Sequence, residues 1–364
     1  MSSPDLTKKT GVLPAKGGFS TPAYEDRQGL VRIVCISAQG AAPQLSRVAS
    51  PGAPGPGEVA LRMGAAALNF ADLLMIEGRY QDTPPFPFTA GLEGAGVVEA
   101  AGPGTPFTPG DRVAVWSRGT LADRMVVPAD ACLPLPDNMT LAEAAGFQIA
   151  YGTSHLALTG PGALRPGDRV VVLGAAGGVG LTAVEIAAAL GAQVIGVARG
   201  HDRLETVRRA GAHHVLDSDA TPDLKAALKD LGGVDVVYDA VGDAAGLAAF
   251  GALRPGGRHL LIGFAGGKPP ALPLNHALVK NISIHGFYWG GYRSLDPQAL
   301  KDSLTALFAM HAAGRLHPVV GATLPIERVA EGYALLRSRR AVGKVIITMD
   351  GNAADLPGND EKAG

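Results

Sequence analysis

The stretch Val170-Val-Val-Leu-Gly-Ala-Ala-Gly-Gly-Val-Gly180 decides the fold of this chain. An apolar run typical of a buried strand leads into a glycine-rich turn, and a helical pattern over residues 179–190 follows directly. A second apolar run, residues 193–197, completes a strand–helix–strand unit. A dinucleotide pyrophosphate binds at such a turn, because backbone N–H groups at the helix start face it and Gly177 and Gly178 carry no side chain that keeps it away. The stretch therefore predicts a parallel α/β sheet with a dinucleotide site.

The match to the common pattern Gly-x-Gly-x-x-Gly is not strict, because Ala175 stands at its first position. Gly177 and Gly180 fill the other two, and Gly180 suits close packing of the helix against the strand. We assign Ala175, Gly177, Gly178 and Val179 to the cofactor site. A glycine-rich turn that joins strand and helix without binding a ligand is the alternative interpretation.

Strand and helix patterns continue to alternate after this unit. A helical pattern covers residues 204–210, and strand patterns lie near residues 214–216, 234–238, 259–262 and 281–285. Five or six such strands predict a doubly wound parallel sheet. The expected fold class of this part is α/β.

The chain before this sheet differs in kind. From Leu30 on, short apolar runs are broken by Gly- and Pro-rich loops, which predicts a β-rich domain. After the sheet come a helical pattern at 296–314 and a last strand, Lys344-Val-Ile-Ile-Thr348, which we expect to return to the β-rich domain. The predicted segments are a flexible lead-in over 1–29, a β-rich domain over 30–151 and 290–349, a dinucleotide-binding domain over 152–289, and a disordered tail over 350–364.

Composition limits the possible functions. The 32 basic and 33 acidic residues give a formal net charge of −1 without long runs of one sign, so we expect no nucleic-acid partner. An apolar share of 47% is that of a folded globular protein. The two cysteines, Cys35 and Cys132, lie far apart in the sequence, which favours a reducing compartment over a disulfide framework. Because the sequence contains no stretch typical of a signal peptide or a bilayer span, we expect a cytoplasmic location and no membrane partner.

The end of the second strand of the unit indicates which dinucleotide binds. NAD sites usually place Asp or Glu there, whereas this strand ends Gly196-Val-Ala-Arg199-Gly200. The guanidinium groups of Arg199 and Arg203 suit the 2′-phosphate of NADPH, which a carboxylate would repel. Alternatively, Arg203 is a solvated helix residue and Asp202, which we expect to be the helix N-cap, turns toward a ribose. The sequence favours NADPH as the cofactor.

The sequence offers little for metal or nucleophilic catalysis. A catalytic zinc needs three protein ligands and a structural zinc usually four. The nine histidines are scattered, and the pair His213-His214 points to opposite faces if it begins a strand. No Gly-x-Ser-x-Gly motif occurs, and neither cysteine has a plausible base beside it. We therefore expect no metal site, and the cofactor must carry most of the chemistry.

Seven segments carry a resemblance to a known family. They are Asn69-Phe-Ala-Asp-Leu-Leu-Met-Ile-Glu-Gly-Arg-Tyr80, Pro87-Phe-Thr-Ala-Gly-Leu-Glu-Gly-Ala-Gly96, Tyr151-Gly-Thr153, the turn Ala175-Ala-Gly-Gly-Val-Gly180, Asp239-Ala-Val-Gly242, Gly263-Phe264 and Gly343-Lys344. Together they resemble the medium-chain dehydrogenase/reductase superfamily, in its zinc-independent quinone oxidoreductase branch, over about residues 31–348. Where zinc-bearing relatives have Gly-His-Glu, this chain has Gly91-Leu92-Glu93, and their four-cysteine structural lobe is missing.

The resemblance implies a GroES-like fold for the β-rich domain, a Rossmann fold for the parallel sheet, and an active site in the cleft between them. It implies that Asn69 and Tyr80 are catalytic residues at the substrate and that Thr153 lies beside the nicotinamide half of the cofactor. It also implies a homodimer through the Rossmann edge strands. Further cofactor contacts are implied at Ser218, Val241, Gly263, Phe264, Phe287 and Lys344.

Purely structural roles remain open for several of these residues. Asn69 is alternatively a turn residue, and Tyr80 alternatively fixes a Pro-rich loop onto the core. For Asp72 we favour an N-cap of a helix at 73–77 over a catalytic acid. Four aromatic residues fall within Phe287-Tyr-Trp-Gly-Gly-Tyr292, which forms either aromatic core or a pocket wall or dimer face.

The function expected from the resemblance is NADPH-dependent reduction of a quinone or an activated enone by hydride transfer. Asn69 would hydrogen-bond the carbonyl oxygen as charge develops, and Tyr80 or a water would return the proton. Two alternatives stay open. One is an NADPH-binding sensor or structural protein that turns nothing over, and the other is a zinc alcohol dehydrogenase.

Overall fold

The computed structural model describes residues 29–349. The disordered tail predicted for residues 350–364 lies outside the described residues, and so does the predicted N-terminal lead-in apart from Gly29.

The part of the chain before the glycine turn consists mainly of strands. Its strands are β1 (Leu30–Ile36), β2 (Gln44–Ala49), β3 (Glu58–Leu68), β4 (Phe88–Thr89), β5 (Glu93–Ala101), β6 (Arg112–Trp116), β7 (Arg124–Pro128) and β8 (Cys132–Pro134). Its helices are α1 (Phe70–Ile76), α2 (Leu141–Ala145) and α3 (Gln148–Thr159).

Strands and helices alternate in the next part of the chain. The strands are β9 (Arg169–Leu173), β10 (Gln193–Ala198), β11 (His214–Asp217), β12 (Val234–Asp239), β13 (Leu253–Leu261) and β14 (Ser283–Gly286). The helices are α4 (Gly178–Ala189), α5 (His201–Arg209), α6 (Leu224–Asp230), α7 (Asp243–Gly251) and α8 (Leu274–Lys280). The last elements are α9 (Tyr292–Leu295), α10 (Pro297–Ala312), β15 (Val320–Pro325), α11 (Val329–Arg337) and β16 (Lys344–Thr348).

Strands β9 to β14 form one parallel six-stranded sheet in the order β11-β10-β9-β12-β13-β14. This order confirms the predicted doubly wound α/β fold. The four apolar residues 170–173 of β9 are fully buried, as expected for a central parallel strand that helices cover on both faces. The strand order reverses at β9, so a crevice opens at the carboxyl ends of β9 and β12.

The β-rich part contains a seven-stranded sheet and a smaller one. The larger sheet has the order β15-β16-β3-β5-β6-β8, with β7 also paired to β3. Strand β16 pairs antiparallel with β3, where Val345 faces Leu68 and Ile346 faces Ala67. The last strand therefore returns to the β-rich part, as predicted. Strands β1, β2 and β4 form a separate three-stranded sheet.

Two helices connect the halves of the molecule. α3 packs against α4, and α10 packs against α3. Phe147, Leu307 and Phe308 contribute to an apolar core that is continuous with the buried residues of β9 and α4. The limits of the two domains stay a prediction.

Among residues 29–349, no helix has the length and apolar character that crossing a bilayer requires.

Two predicted helix caps are wrong. α1 begins at Phe70 with Asn69 as its N-cap, so Asp72 is the third residue of the helix, where its side chain accepts the backbone N–H of the cap. α5 begins at His201 with Gly200 as its N-cap, so Asp202 lies inside its first turn. Gly200 has φ +83°, a left-handed conformation that favours glycine over a side-chain cap.

Candidate active site

The predicted cofactor residues follow the carboxyl ends of the parallel strands. The glycine turn follows β9, Arg199 follows β10, Ser218 follows β11, Val241 follows β12 and Gly263 follows β13. The carboxyl ends of parallel strands meet at one edge, where open α/β sheets bind their ligands. Residues predicted one by one along the sequence therefore lie along a single edge.

The glycine turn has the features of a phosphate site. Gly177 is the N-cap of α4, and its N–H donates to the carbonyl oxygen of Gly174 at 2.9 Å. A Cβ at Gly180 would overlap that same oxygen, so close packing requires glycine there. A Cβ at Gly177 or Gly178 would meet its nearest atom at 3.3 or 3.2 Å, a tight contact and not an overlap. Packing alone therefore does not demand these two glycines, whereas a phosphate approaching the helix start does.

Asp239, the last residue of β12, shapes the neighbouring turn. Its Oδ1 accepts the N–H groups of Val241 at 3.0 Å and of Gly242 at 2.7 Å. Its Oδ2 lies 3.1 Å from Nε2 of His259, and both side chains are fully buried. A Cβ at Gly174 would lie 3.1 Å from Cγ2 of Val241. Asp239 therefore holds Val241 against the glycine turn.

The outer end of the crevice is exposed and carries both basic and acidic side chains. Nε of Arg199 lies 3.2 Å from Oδ1 of Asp219, and both side chains are mostly exposed. The N–H of Ser218 donates to the carbonyl of the residue before Arg199 at 2.9 Å. Nη2 of Arg203 donates to the backbone carbonyl of Arg339 at 2.7 Å, which brings α5 into contact with the loop before β16. Arg199 and Ser218 thus lie close together at neighbouring strand ends, with two acids beside them, Asp219 and Asp217, whose Oδ1 accepts the N–H of Gly200 at 3.3 Å. Arg203 lies in the first turn of α5.

A buried polar cluster of Asn69, Glu93 and Lys344 lies beside the glycine turn. Nζ of Lys344 donates to Oδ1 of Asn69 at 2.7 Å and to Oε1 of Glu93 at 2.9 Å. Nδ2 of Asn69 donates to Oε1 of Glu93 at 3.1 Å, and the N–H of Ile149 donates to Oε2 of Glu93 at 2.8 Å. Glu93 is fully buried, and the other two are nearly so. The predicted catalytic Asn69 and the predicted cofactor residue Lys344 are therefore in direct contact.

The backbone next to Lys344 joins this polar cluster to the glycine turn. Gly343 donates its N–H to the carbonyl of Ala176 at 3.1 Å and forms an isolated bridge with Gly177. A Cβ at Gly178 would lie 3.2 Å from Cδ of Lys344. The lysine side chain therefore passes alongside the first residue of α4 on its way to Asn69.

Asp72 adds a titratable group under the polar cluster. Its Oδ2 accepts the backbone N–H of Asn69 at 2.7 Å, while Oδ1 has no hydrogen-bond partner among residues 29–349. Burial raises the pKa of Asp72 to about 7, against the lowering effects of the Asn69 N–H and the Lys344 charge. Negative Glu93 adds to the rise. Asp72 therefore changes charge near neutral pH.

Aromatic rings flank the polar cluster. Tyr80 packs edge-on against Tyr288, with ring centroids 6.2 Å apart. Burial, together with the hydrogen bond to Tyr288, raises the pKa of Tyr80, so its hydroxyl stays protonated at ordinary pH. Trp116 and Trp289 lie 4.3 Å apart, and Trp116 pairs with Glu93 across the sheet. Aromatic rings of this kind pack well against planar groups.

The remaining predicted residues divide between core and surface. Phe287 is 7% exposed and packs against Tyr292 inside the apolar core. Phe264 is 43% exposed and follows Gly263 at the end of β13. Thr153 is buried in α3, next to Gly152, where a Cβ would lie 2.6 Å from Nε1 of Trp289. The aromatic run 287–292 therefore contributes core residues, while its Tyr288 is 41% exposed.

Sequence reasoning did not assign Glu93 to the site. It appeared only inside the segment Pro87-Phe-Thr-Ala-Gly-Leu-Glu-Gly-Ala-Gly96. A lone acid at the start of an otherwise apolar strand is the signal that was available, because a buried carboxylate needs partners. Trp116, at the end of the neighbouring strand, offered no comparable signal.

A cavity of about 390 Å³ lies behind the glycine turn, between α4, α5 and the segment before β15. Apolar side chains such as Leu181 and Val319 form most of its wall. At one side Glu185 accepts the hydroxyl of Tyr151 and the backbone N–H of His317, both at 2.5 Å.

In the described part of the chain, no group of three His, Cys, Asp or Glu residues is placed to hold a metal ion.

Comparison with known proteins places this architecture in a family. Residues 55–137 match the model of the alcohol dehydrogenase GroES-like domain, and residues 178–317 match that of the zinc-binding dehydrogenase. The chain is 34% identical over 300 residues to the quinone oxidoreductase-like protein 2 homolog of Nematostella vectensis, covering 80% of this chain and 82% of the relative. It is 33% identical over 323 residues to the synaptic vesicle membrane protein VAT-1 homolog of Homo sapiens, covering 83% and 81%.

A solved structure agrees with these relatives. The quinone oxidoreductase from Thermus thermophilus, whose complex with NADPH is also solved, matches with a TM-score of 0.77 at 32% identity, covering 87% of this chain and 100% of that chain. Shared identity above 30% over four fifths of the chain, together with the parallel sheet and the GroES-like part, shows common descent. The chain is therefore an oxidoreductase of the medium-chain dehydrogenase/reductase superfamily, and it belongs to the zinc-independent quinone oxidoreductase branch.

Proposed function

We propose that this protein reduces quinones or activated enones with NADPH, by hydride transfer and without zinc. The observation that carries the proposal is the contact of Asn69 with Lys344 beside the glycine turn, at 2.7 Å. An amide donor and a cation beside the predicted cofactor turn support the proposal, because negative charge develops on a carbonyl oxygen during reduction. The aromatic rings of Tyr80, Tyr288 and Trp116 favour a planar acceptor.

The chain's own residues position the substrate and handle the proton. A bound NADPH supplies the hydride. Asn69 donates a hydrogen bond to the substrate carbonyl, which stabilises the charge that builds there. Tyr80, protonated because of its burial, or a water beside it returns the proton that the reduction consumes. Thr153, Val241, Gly263, Phe264, Phe287 and Lys344 are our proposed contacts to the cofactor, together with the glycine turn.

Two observations support NADPH over NADH. Arg199 directly follows β10 and Arg203 lies in the first turn of the next helix, and two guanidinium groups suit a 2′-phosphate. The relative from Thermus thermophilus is a quinone oxidoreductase solved with NADPH. Asp219 beside Arg199 and Asp217 beside Gly200 oppose this preference, so we assign the larger part of it to Arg203.

A homodimer in the cytoplasm belongs to the same proposal. Three apolar side chains of α8, Leu274, Leu278 and Val279, are 68%, 81% and 77% exposed, which is typical of a surface covered by a partner. The neighbouring β14 is an edge strand of the described sheet and can pair with a second copy of itself. Free Cys35 and Cys132 suit a reducing compartment.

The test follows the absorbance of NADPH, and separately of NADH, with benzoquinone, phenanthrenequinone and an acyclic enone as acceptors. We expect faster oxidation of NADPH than of NADH, and a large loss of kcat/KM in Asn69→Ala and Tyr80→Phe. NADPH binding without oxidation by any acceptor would contradict the proposal and favour a sensor or structural role. Unchanged kcat/KM in both variants would contradict the residue assignment.

A further inference from the structure

The side-chain amide of Asn69 has one defined orientation. An ammonium only donates hydrogen bonds and a carboxylate only accepts them. Oδ1 of Asn69 must therefore face Nζ of Lys344, at 2.7 Å, and Nδ2 must face Oε1 of Glu93, at 3.1 Å. A flipped amide would set donor against donor and acceptor against acceptor in a buried place, which loses both bonds.

This orientation leaves one donor of Asn69 unused. The Nδ2 group has two hydrogens. One is bound by Glu93, and the other has no partner among residues 29–349. The amide thus offers an N–H, and not its oxygen, to a further acceptor.

Both partners of the amide are themselves fixed. Glu93 is fully buried; its Oε2 accepts the N–H of Ile149, and its backbone carbonyl accepts the hydroxyl of Thr120 at 3.0 Å. Lys344 follows Gly343, which is hydrogen-bonded to the glycine turn. Glu93 belongs to β5 and Lys344 to β16, so both hydrogen bonds to the Asn69 amide can form only when β16 is paired with β3.

We propose that Glu93 and Lys344 are positioning residues, which hold the Asn69 amide so that its free N–H points at the substrate carbonyl. This inference rests on the proposed function. If the Glu93–Lys344 ion pair were merely structural, its removal would lower stability but change kcat equally with and without Asn69. If it positions Asn69, its removal should lower kcat only while Asn69 is present. Combining substitutions at Glu93 and Asn69 therefore distinguishes the two roles.

The first experiment needs no activity. The sequence has six asparagines, so selective ¹⁵N labelling gives six side-chain amide signals, and Asn69→Ala identifies the one that disappears. We expect the two Nδ2 protons of Asn69 to be widely separated in chemical shift, because only one of them binds a carboxylate. In Glu93→Gln this separation should shrink. The single amide oxygen of glutamine is neutral, so it accepts the N–H groups of Asn69, Lys344 and Ile149 less strongly than the two carboxylate oxygens do. An unchanged separation would overturn the inference.

The second experiment is a double-variant cycle on kcat with saturating NADPH and the best acceptor. We expect Glu93→Gln to lower kcat at least tenfold in the wild-type background and less than twofold in the Asn69→Ala background, because a positioning residue acts only through its target. Lys344→Met should lower kcat to a similar extent. Lys344→Arg, which keeps the positive charge, should retain most of the wild-type kcat. Equal losses from Glu93→Gln in both backgrounds would overturn the inference.

Glu185→Gln is the matched control, because Glu185 also accepts two hydrogen bonds between α3, α4 and the C-terminal segment. It should keep the wild-type kcat even if it lowers the melting temperature. NADPH affinity, measured by fluorescence titration, should change less than threefold in Glu93→Gln. A wild-type protein that reduces no acceptor would refute the proposed function, and the chemical-shift experiment would still decide the orientation of Asn69.

Discussion

The carboxyl group of Asp72 accepts the backbone N–H of Asn69 at 2.7 Å, which ties a titratable side chain to the first turn of α1. Its other oxygen is buried without a hydrogen-bond partner among the described residues, and so is the hydroxyl of Tyr333. Burial is the main reason that the pKa of Asp72 rises to about 7. Because Asp72 lies next to the polar cluster and titrates near neutral pH, we expect the stability of the fold to depend on pH.

Asp72→Asn should change how stability varies with pH. Folded Asp72 keeps its proton up to about pH 7, whereas the unfolded chain releases it near pH 4. The stabilising contribution of the raised pKa is complete below about pH 4 and is lost as pH rises through about 7. We expect the melting temperature of the wild type to fall by several degrees relative to Asp72→Asn between about pH 5 and about pH 8. The exposed N-cap variant Asp223→Asn serves as the control, and a pH-independent difference for Asp72→Asn would contradict the prediction.

Arg203→Ala should weaken NADPH use specifically. Charge-assisted hydrogen bonds to a phosphate are worth about 1.5–3 kcal/mol, so we expect a loss of about tenfold or more in kcat/KM for NADPH and little change for NADH. Arg199→Ala should have a smaller effect, because Asp219 already neutralises part of that charge. Arg208→Ala is the control on the same helix, where it pairs with Glu205. Equal losses with both cofactors would refute a 2′-phosphate site.

The two kinds of glycine in the turn should respond differently to alanine. Gly180→Ala places a Cβ onto the carbonyl oxygen of Gly174, and we expect it to cost about 1–3 kcal/mol of folding free energy. Gly177→Ala meets its nearest atom at 3.3 Å and should leave the melting temperature nearly unchanged. It should nonetheless weaken NADPH binding, because the methyl group faces the phosphates. Chemical denaturation and fluorescence titration separate the two effects, and intact NADPH binding by Gly177→Ala would contradict the phosphate assignment.

Tyr80→Phe should lower kcat by about a hundredfold if Tyr80 is the proton donor. The raised pKa of Tyr80 means that the wild-type rate should show no fall from tyrosine ionisation up to about pH 10. Tyr292→Phe, which alters a ring packed on Phe287, is the control and should retain the wild-type rate. A fall of less than threefold in Tyr80→Phe would indicate that a water molecule donates the proton.

Leu278→Glu should convert the proposed dimer into monomers. The side chain is 81% exposed on α8, next to the edge of the parallel sheet, and a charge there cannot be buried against a second copy without a partner. Leu295→Glu is the control, since Leu295 is 75% exposed on α9. Light scattering gives the mass of each variant. A wild-type monomer, or a Leu278→Glu dimer, would refute this interface.

Local patterns predicted much of the fold. Strand β9 was predicted as the apolar run that begins at Val170, strand β16 was predicted at the residues where it occurs, and α4 was predicted within one residue at each end. Such patterns work because the periodicity of apolar residues and the conformations allowed to glycine are properties of short segments. The same reasoning predicted the glycine turn after β9 and Arg199 after β10 as cofactor residues, whereas Ser218, Val241 and Gly263 were implied by the family resemblance.

The cap predictions failed for an equally physical reason. Asp72 and Asp202 are residue types that cap helices well, yet both lie inside the first turn of their helices. The helix start was fixed by the backbone conformations of Asn69, which is extended, and of Gly200, which is left-handed. Residue type expresses a preference, and the path of the incoming chain decides which residue becomes the cap.

The sequence by itself determined the doubly wound sheet, the glycine turn, the basic end of the second strand and the family. Only the tertiary structure decided that Asn69, Glu93 and Lys344 form one buried polar cluster. Lys344 lies 275 positions from Asn69 and 251 from Glu93, and it reaches them because β16 pairs with β3 while Gly343 bonds to the glycine turn. Periodicity and turn chemistry act over a few residues, whereas this contact depends on how two distant sheets dock, which no local pattern encodes.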